Sequence, residues 1–518
     1  MVYFGRTAEF HVVEFNFIVC DRQHLLDSHP EFLQWLPSEH LCWKVLDAVQ
    51  QLDLSGFLAS YRADGQGAAA YPPDVVLALV LYCYSKGIRS SRKIEAACQD
   101  DIGARIITAN QQIDHATIAR FHRRHRPNLQ SLFIQVLELC AQHGLVDPTV
   151  IAIDGSPMHA NAARSSNRSI PYLNAIIAEG EAQLTELIAP AQSTETEQMQ
   201  PWSRRHDRSD LTRLSRIGDR LARARIAIDK LHARALPSEG EIRLKVEAAQ
   251  RMVARAQRRL DAVTAAHLAK LDAYHRRNQA DRQTGRRRAQ GRPPVPLDAK
   301  TVVVRQRARL ARAQAWLEQA HSPRPVPSGS ARACLTDPDS RLMLSKKGGY
   351  LQGYNLQIAS GRNQLLLAIE VHDNPNDMLA LVPLVRTAQR NCDTAHVRSA
   401  VQAWVADAGY ACTANFDTLA DVSLLVAVTK NGADDNHHDQ VSIPEDHREM
   451  AERLATPEGQ ATYRRRAALV EPGFAQLFQR SGRHLYYRGR ANVNTEIKLL
   501  GTVHNLNKLF KHGAQART

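Results

Sequence analysis

The sequence predicts an α/β core split by a long helical insertion and preceded by a mostly helical region, and three observations carry that expectation. Two apolar runs, Val150-Ile151-Ala152-Ile153 and Val401 to Ala406, each close on an aspartate, Asp154 and Asp407. Between them lies a long arginine-laden stretch with helical periodicity. Late in the chain, residues 460–479 read as a helix that carries Glu471 behind Tyr463, Arg464, Arg465 and Arg466.

Residues 1–145 read as helical. Asp74 to Tyr82 is a buried-helix pattern with Pro72-Pro73 at its entrance. After a break at Gly87, Arg89-Ser90-Ser91-Arg92-Lys93 opens a short helix that a serine can cap. A second capped helix starts at Asp114, in DHATIARFHRRH, and places Thr117, Arg120 and Arg124 within one or two turns. Two short helices with small polar residues in the first turn and arginines behind them suit a helix-turn-helix in a major groove. Arg89, Ser90, Arg92, Lys93, Thr117, Arg120 and Arg124 are therefore the expected DNA contacts.

The character changes at 146–165, where a β-rich run ends in Asp154-Gly155-Ser156. An insertion follows over 166–334. Leu214, Ile217, Leu221, Ala224, Ile228 and Leu231 occupy successive seam positions, and Val246, Ala249, Val253, Ala256, Leu260 and Val263 resume the pattern after a turn at Leu236 to Gly240. This predicts one antiparallel coiled-coil hairpin with basic outer faces, continuing into Arg286-Arg287-Arg288 and Gly291-Arg292-Pro293-Pro294. Such faces are usually solvated; they also suit a DNA backbone or a second protomer.

From 335 to 512 the α/β character returns. Tyr354 to Ala359 and Gln364 to Val371 read as paired strands around a turn at Gly361-Arg362-Asn363, Asn376 to Arg390 as an amphipathic helix, and Ser423 to Thr429 as a last strand. The order of elements is strand, insertion, strand, strand, helix, strand, helix, strand, helix. That order is ribonuclease-H-like. It sets the Asp154 and Asp407 strands side by side and brings the Glu471 helix across their ends.

An aspartate after an apolar run is usually only a strand end. Three carboxylates brought together are different, because they repel and raise one another's pKa. Divalent cations relieve that repulsion, and oxygen ligands select Mg²⁺ or Mn²⁺. Two ions about 3.5–4 Å apart activate an attacking oxygen and stabilise a leaving one in phosphoryl transfer. No cysteine or paired histidine flanks either aspartate to suggest zinc; His159 stands alone, and His437-His438 lie in a polar Asn/Asp-rich loop read as exposed. No Walker loop, dinucleotide glycine motif or nucleophile elbow is present. Tyr463 and Arg466 sit upstream of Glu471, with Arg466 suited to a DNA phosphate or to orienting the glutamate.

Composition supports this chemistry. The 518 residues allow two to four domains, 44% hydrophobic content supports a sizeable core, and a net charge of +14 favours polyanions. Eight cysteines without a CxxC pair suit a reducing compartment. The N-terminal apolar stretch at Phe15 to Val19 is too short for a membrane span. A soluble intracellular protein is expected.

As a linked set, these residues resemble a known family. YPPDVVLALVLYCYSKGIRSSRKIEAAC and DHATIARF in the first region, then IAIDGSPMHANA, DPDSRLMLSKKGGYLQGYNLQIA, VADAGY, YRRRAALVEPGFAQ and TVHNLNKLF, are similar to bacterial insertion-sequence transposases of the DDE type, in the IS1182-like branch of the IS5-related group. The resemblance spans nearly the whole chain; the insertion matches in character more than in motif. It implies a terminal-repeat-binding N-terminal region and a ribonuclease-H-like core. Asp154, Asp407 and Glu471 would be the catalytic and metal-binding triad for two Mg²⁺ or Mn²⁺ ions, and Tyr463 and Arg466 the helix residues that contact DNA. Expected partners are double-stranded transposon ends and target DNA, with a homo-oligomer forming on the nucleoid of a bacterial cytoplasm. One departure stands out: relatives often carry lysine seven residues after the glutamate, where this chain has Phe478, leaving Arg480 or Arg483 to supply the contact. Two rival readings are a nuclease or resolvase that cuts without joining, and a silent relic that only binds DNA.

Overall fold

The structure is a computed structural model that describes residues 15–194, 208–235, 239–284, 294–321, 331–345, 348–428 and 447–512. The His437-His438 pair, Arg286-Arg287-Arg288 and Leu236 to Ser238 lie outside the described residues.

Eight strands are described: β1 (Val150–His159), β2 (Asn167–Ser169), β3 (Arg332–Cys334), β4 (Arg341–Leu344), β5 (Tyr350–Ser360), β6 (Leu366–His372), β7 (Ala403–Ala406) and β8 (Leu424–Val426). Strand β5 is the hub of the main sheet. One edge of it pairs with β1; β4 and β6 also pair with it, all antiparallel. Beyond β1 lie β7 and then β8, both parallel. The small β2–β3 pair closes the base of the insertion.

The strands are buried on both faces, which accounts for their unbroken apolar runs. Alternation still assigns the faces. Val150, Ala152 and Val405 join one apolar cluster, whereas Ile151, Ile153, Trp404 and Ala406 join another. The second cluster is covered by the helix Leu381–Thr394. The first is covered by the helix Pro457–Ser481 and the C-terminal helix Arg490–His512.

The N-terminal helices share this first cluster. Leu77, Val80, Phe133 and Val136 lie in one apolar cluster with Ile358, Val470, Ile497 and Val503. Helix Pro73–Ser85 is buried on all sides because the helix Leu41–Gln50 and the C-terminal helix both pack on it. The change of character near residue 145 is thus a change of secondary structure within a continuous core. A short-helix array follows, Ser91–Asp100, Ile102–Ile107 and His115–Arg124, with Ile94, Ile118 and Phe121 buried between them. Asp114 caps the last of these by accepting from the amides of Ala116 and Thr117, both at 2.9 Å.

The insertion corrects one expectation. Its helices are Ile170–Thr194, Arg208–Ala235, Glu239–Gln283 and Thr301–His321, and they form two pairs. The first packs on the second and the third on the fourth. The seam residues Leu221, Ala224 and Leu231 face Leu173, Ile176 and Gly180 rather than the 246–263 seam. Gly180 lies against Leu221, while Leu173 clusters with Leu231, so the pair runs antiparallel. A heptad seam demands an apolar partner and does not name it.

Candidate active site

Strand pairing brings the two aspartates together. The parallel β1–β7 register matches Ile153 with Ala406, so Asp154, midway along β1, and Asp407, just past the end of β7, stand side by side. Adjacent strands are about 4.8 Å apart. Asp407 keeps extended backbone (φ −81°, ψ 175°), so the alternation continues through it. Both aspartates follow the parity of Val150, Ala152 and Val405, which places them on the face covered by the Pro457–Ser481 helix.

Each carboxylate is fixed locally. Asp154 Oδ1 accepts from the Gly155 amide at 2.7 Å, and Asp407 Oδ1 accepts from the Gly409 amide at 2.8 Å. From the covering helix, Arg466 Nη1 reaches Asp154 Oδ2 at 3.4 Å, with both side chains 18% exposed. Tyr463, one turn before Arg466, is half-buried. Burial raises its phenol pKa, with Arg466 opposing and Asp407 and Asp154 adding to the rise. Asp154, Asp407, Tyr463 and Arg466 thus form one electrostatic neighbourhood.

Glu471 is placed differently. The buried side of its helix runs through Leu469, Val470, Gly473, Phe474 and Leu477. Glu471 is exposed, about 100° around the helix from Val470 by ordinary helical geometry. Among the described residues no group of three or more histidine, cysteine, aspartate or glutamate side chains is set to hold a metal ion. The aspartate pair supplies donors of the right kind for Mg²⁺, but the third expected donor does not converge on it.

Sequence reasoning missed Asp377, on the opposite face of the same sheet end. Its Oδ1 accepts from the side-chain amides of Asn355 and Gln357, each at 2.7 Å. A Cβ added to Gly155 would lie 2.6 Å from Asp377 Oδ1 and 2.3 Å from Gln357 Nε2. One added to Gly409 would lie 2.9 Å from Asp407 Oδ1 and 3.5 Å from Asp377 Oδ2. The glycines after the two aspartates therefore leave room for a third carboxylate beneath the sheet. The buried Tyr410 hydroxyl donates to Gln357 Oε1, tying the turn after Asp407 into the same network. Burial lifts the Tyr410 pKa well above its ordinary value, reinforced by Asp377, Asp154 and Asp407. The only sequence signal was the polar Asn374 to Asp377 stretch between strand and helix, with no apolar run to point at it.

The basic residues expected around the site divide. Phe478 packs on Phe474, and the Arg483 guanidinium lies 3.9 Å from the Phe478 ring centroid while Nη1 donates to Ser156 Oγ at 3.0 Å. Of the two arginines expected to replace the missing lysine, Arg483 is thus the one on the aspartate strand.

In the N-terminal region, Arg92, Lys93, Arg120 and Arg124 are exposed, and Ser90 and Thr117 are half-buried. Thr117 Oγ1 is engaged, donating to Asp114 Oδ2 at 2.6 Å. Arg124 lies over the Tyr61 ring and donates to the Ser60 carbonyl. Arg89 is a correction. It is 3% exposed and cannot reach DNA. Its guanidinium donates to Glu496 Oε1 at 2.8 Å, to the Ser481 carbonyl and to the His484 carbonyl at 2.8 Å, because a buried cation must be paired.

The insertion touches the core close to the site. Glu247 Oε2 accepts from the Thr413 amide at 3.3 Å, and Arg243 pairs with Asp417, both just past Tyr410. No described helix is long and apolar enough to cross a membrane.

Two family models match parts of the chain. Residues 30–124 match Transposase domain (DUF772), which takes in the short-helix array. Residues 429–510 match Transposase DDE domain, which takes in Tyr463, Arg466 and Glu471. No curated protein and no solved structure matches the chain. Similarity to transposase domains thus falls both on the N-terminal helices and on the helix that covers the paired aspartates.

Proposed function

We propose that this protein is a DNA transposase of the DDE type, of the IS1182-like branch, that binds the terminal repeats of its element and cuts and joins DNA at a ribonuclease-H-like core. One observation carries the reading. Asp154 and Asp407 stand side by side on the sheet face under the helix that presents Tyr463 and Arg466, and that helix lies in a transposase match. The strand order, with β5 antiparallel and β7 parallel to β1, supports the ribonuclease-H-like reading.

In this proposal Asp154 and Asp407 would hold Mg²⁺ or Mn²⁺, Glu471 would join them as third ligand only where its helix turns it toward the pair, and two such ions would activate the attacking oxygen and stabilise the leaving one. The chain's own residues do the rest. The Gly155 and Gly409 amides fix one oxygen of each aspartate. Arg466, now on Asp154 Oδ2, is placed to exchange that carboxylate for a DNA phosphate. The exposed Arg92, Lys93, Arg120 and Arg124 contact the ends, together with Ser90 and Thr117. The protein works as an oligomer on paired ends in the bacterial cytoplasm.

The test is cleavage of labelled DNA carrying the element's ends, with and without Mg²⁺. Wild type should cut at the ends only with the metal, and Asp154→Asn should lower cutting by more than about 100-fold, since even outer-shell partners of a metal cost 10–100-fold. A pre-cleaved end should then join to target DNA. Cutting without joining would replace transposase by nuclease. Binding with no cut in Mg²⁺ or Mn²⁺ would leave a DNA-binding relic.

A further inference from the structure

We propose that the cleft between the helix His115–Arg124 and the start of the C-terminal helix Arg490–His512 binds a backbone phosphate of DNA, with Arg123 and Arg126 as its principal contacts. The proposal rests on the reading of the chain as a DNA-binding transposase and adds a site that spans both transposase matches.

The cleft has a volume of about 340 Å³, with Arg120, Arg123 and Arg126 among its lining residues and Asn492 and Thr495 contributed by the C-terminal helix. Among the described residues, none of the three guanidinium groups has a hydrogen-bond or ion-pair partner. This contrasts with Arg89, Arg386 and Arg466, each of which meets a carboxylate. The only carboxylate lining the cleft is Glu496, and it is already engaged. It takes Arg89 at 2.8 Å and the amides of Tyr486 and Tyr487 at 3.1 and 3.2 Å. Three uncompensated guanidiniums around one concavity repel one another unless an anion sits among them.

His122 supplies an independent pointer. It lines the same cleft, is only 5% exposed, and its Nε2 has no hydrogen-bond partner. A buried imidazole nitrogen without a partner costs free energy that a ligand oxygen recovers. Burial depresses its pKa to about 4, so the ring is neutral and serves as a hydrogen-bonding group while the arginines carry the charge. Arg126 also opens the helix Arg126–Gln142, whose first-turn amides favour an anion.

The anion is a phosphodiester. Guanidinium forks match phosphate oxygens in bidentate fashion, and the cleft borders the helix whose exposed Arg120 and Arg124 already face outward. A net charge of +14 draws the same class of ligand. A phosphate bound here would touch the N-terminal helices and the C-terminal helix at once, coupling end binding to the catalytic sheet through the helix on which Glu496 anchors Arg89.

The experiment measures binding of the full-length protein to a labelled duplex by fluorescence anisotropy across a salt series. It compares wild type, Arg123→Ala/Arg126→Ala and the matching double lysine variant. The double alanine variant should bind about tenfold more weakly, with a salt slope shallower by about one, as expected for one lost phosphate. The double lysine variant should recover most of the slope, because it restores charge, and less of the affinity, because it loses the fork. Cleavage of element ends by the wild-type protein is scored separately, so its failure would count against the catalytic reading and not against the cleft. An unchanged slope and affinity in the double alanine variant, with its melting temperature kept, would overturn the proposal.

Discussion

The sheet that carries Asp154 and Asp407 and the helical insertion between them in the chain are both held by periodic apolar surfaces, and the two kinds of surface constrain their partners to different degrees. In the sheet, apolar strands buried on both faces lie beside one another, so pairing Ile153 with Ala406 places Asp154 next to Asp407. In the insertion, the seam at Leu221, Ala224 and Leu231 is buried as its spacing requires, but against Leu173 and Ile176, on the helix before it rather than the helix after. A strand's pattern, combined with element order, restricts its neighbours to a few. A heptad seam restricts only what kind of surface must cover it. The aspartate pair is also tied to distant chain through Arg466 and Arg483, whereas each insertion pair buries its seam within itself and meets the core through polar contacts such as Arg243–Asp417 and Lys230–Asp339.

The largest effect expected from breaking this contrast is at Arg89. Arg89→Met leaves the Glu496 carboxylate buried without its cation and removes the donor to the Ser481 and His484 carbonyls. Breaking one side of a buried pair costs about 3–5 kcal/mol. The denaturant midpoint of the core should drop accordingly, and amide exchange should accelerate in both Pro73–Ser85 and Arg490–His512. A loss below about 1 kcal/mol, in the range of an exposed pair, would mean that the N-terminal helices do not depend on this link.

A smaller effect is expected at Leu221, which is 4% exposed against Gly180. Leu221→Ala should cost about 2–3 kcal/mol at a site open enough to relax. Its reach is the sharper reading. Exchange protection should fall in 170–194 and 208–235 and stay unchanged in 239–283 and 301–321. Loosening of the 239–283 helix would restore the single hairpin that the two seams suggest on their own.

Much of the site was legible because its strands are unbroken apolar runs and its covering helix is long. The runs ending in Asp154 and Asp407 and the helix holding Tyr463 and Arg466 all fold where the pattern puts them. Arg89 was misread because an arginine beside two serines looks solvated, and the glutamate that buries it lies 407 positions away. Asp377 was missed because the sequence absorbs it into a helix from Asn376, whereas the helix starts at Leu381 and Asp377 opens the short 3-10 turn before it; only the space left by Gly155 and Gly409 betrays it. Arg123 and Arg126 look like ordinary surface arginines until the C-terminal helix closes the other wall of their cleft.

The smallest effect separates the core from the insertion by acid. His504 lies on the C-terminal helix, 1% exposed, with Nε2 2.8 Å from the Gln364 carbonyl. Burial depresses its pKa to about 4, opposed by that hydrogen bond. An imidazole whose folded pKa lies below its unfolded value of 6.5 contributes stability at neutral pH, and that stability is lost as pH falls from 6.5 towards 4. Glu496 acts with the opposite sign. Burial raises its pKa to about 7, so its contribution is present at low pH and fades as pH rises through 7. A comparison of wild type with His504→Gln cancels the Glu496 term and keeps a donor for the Gln364 carbonyl. Wild type should lose on the order of 2 kcal/mol relative to the variant between pH 6.5 and 4. The loss should appear in the denaturation of the sheet and C-terminal helix, and exchange in the two insertion pairs should show no difference between the proteins. Parallel pH profiles would mean that His504 is solvated and that the C-terminal helix is not the buried spine joining the N-terminal helices to the paired aspartates.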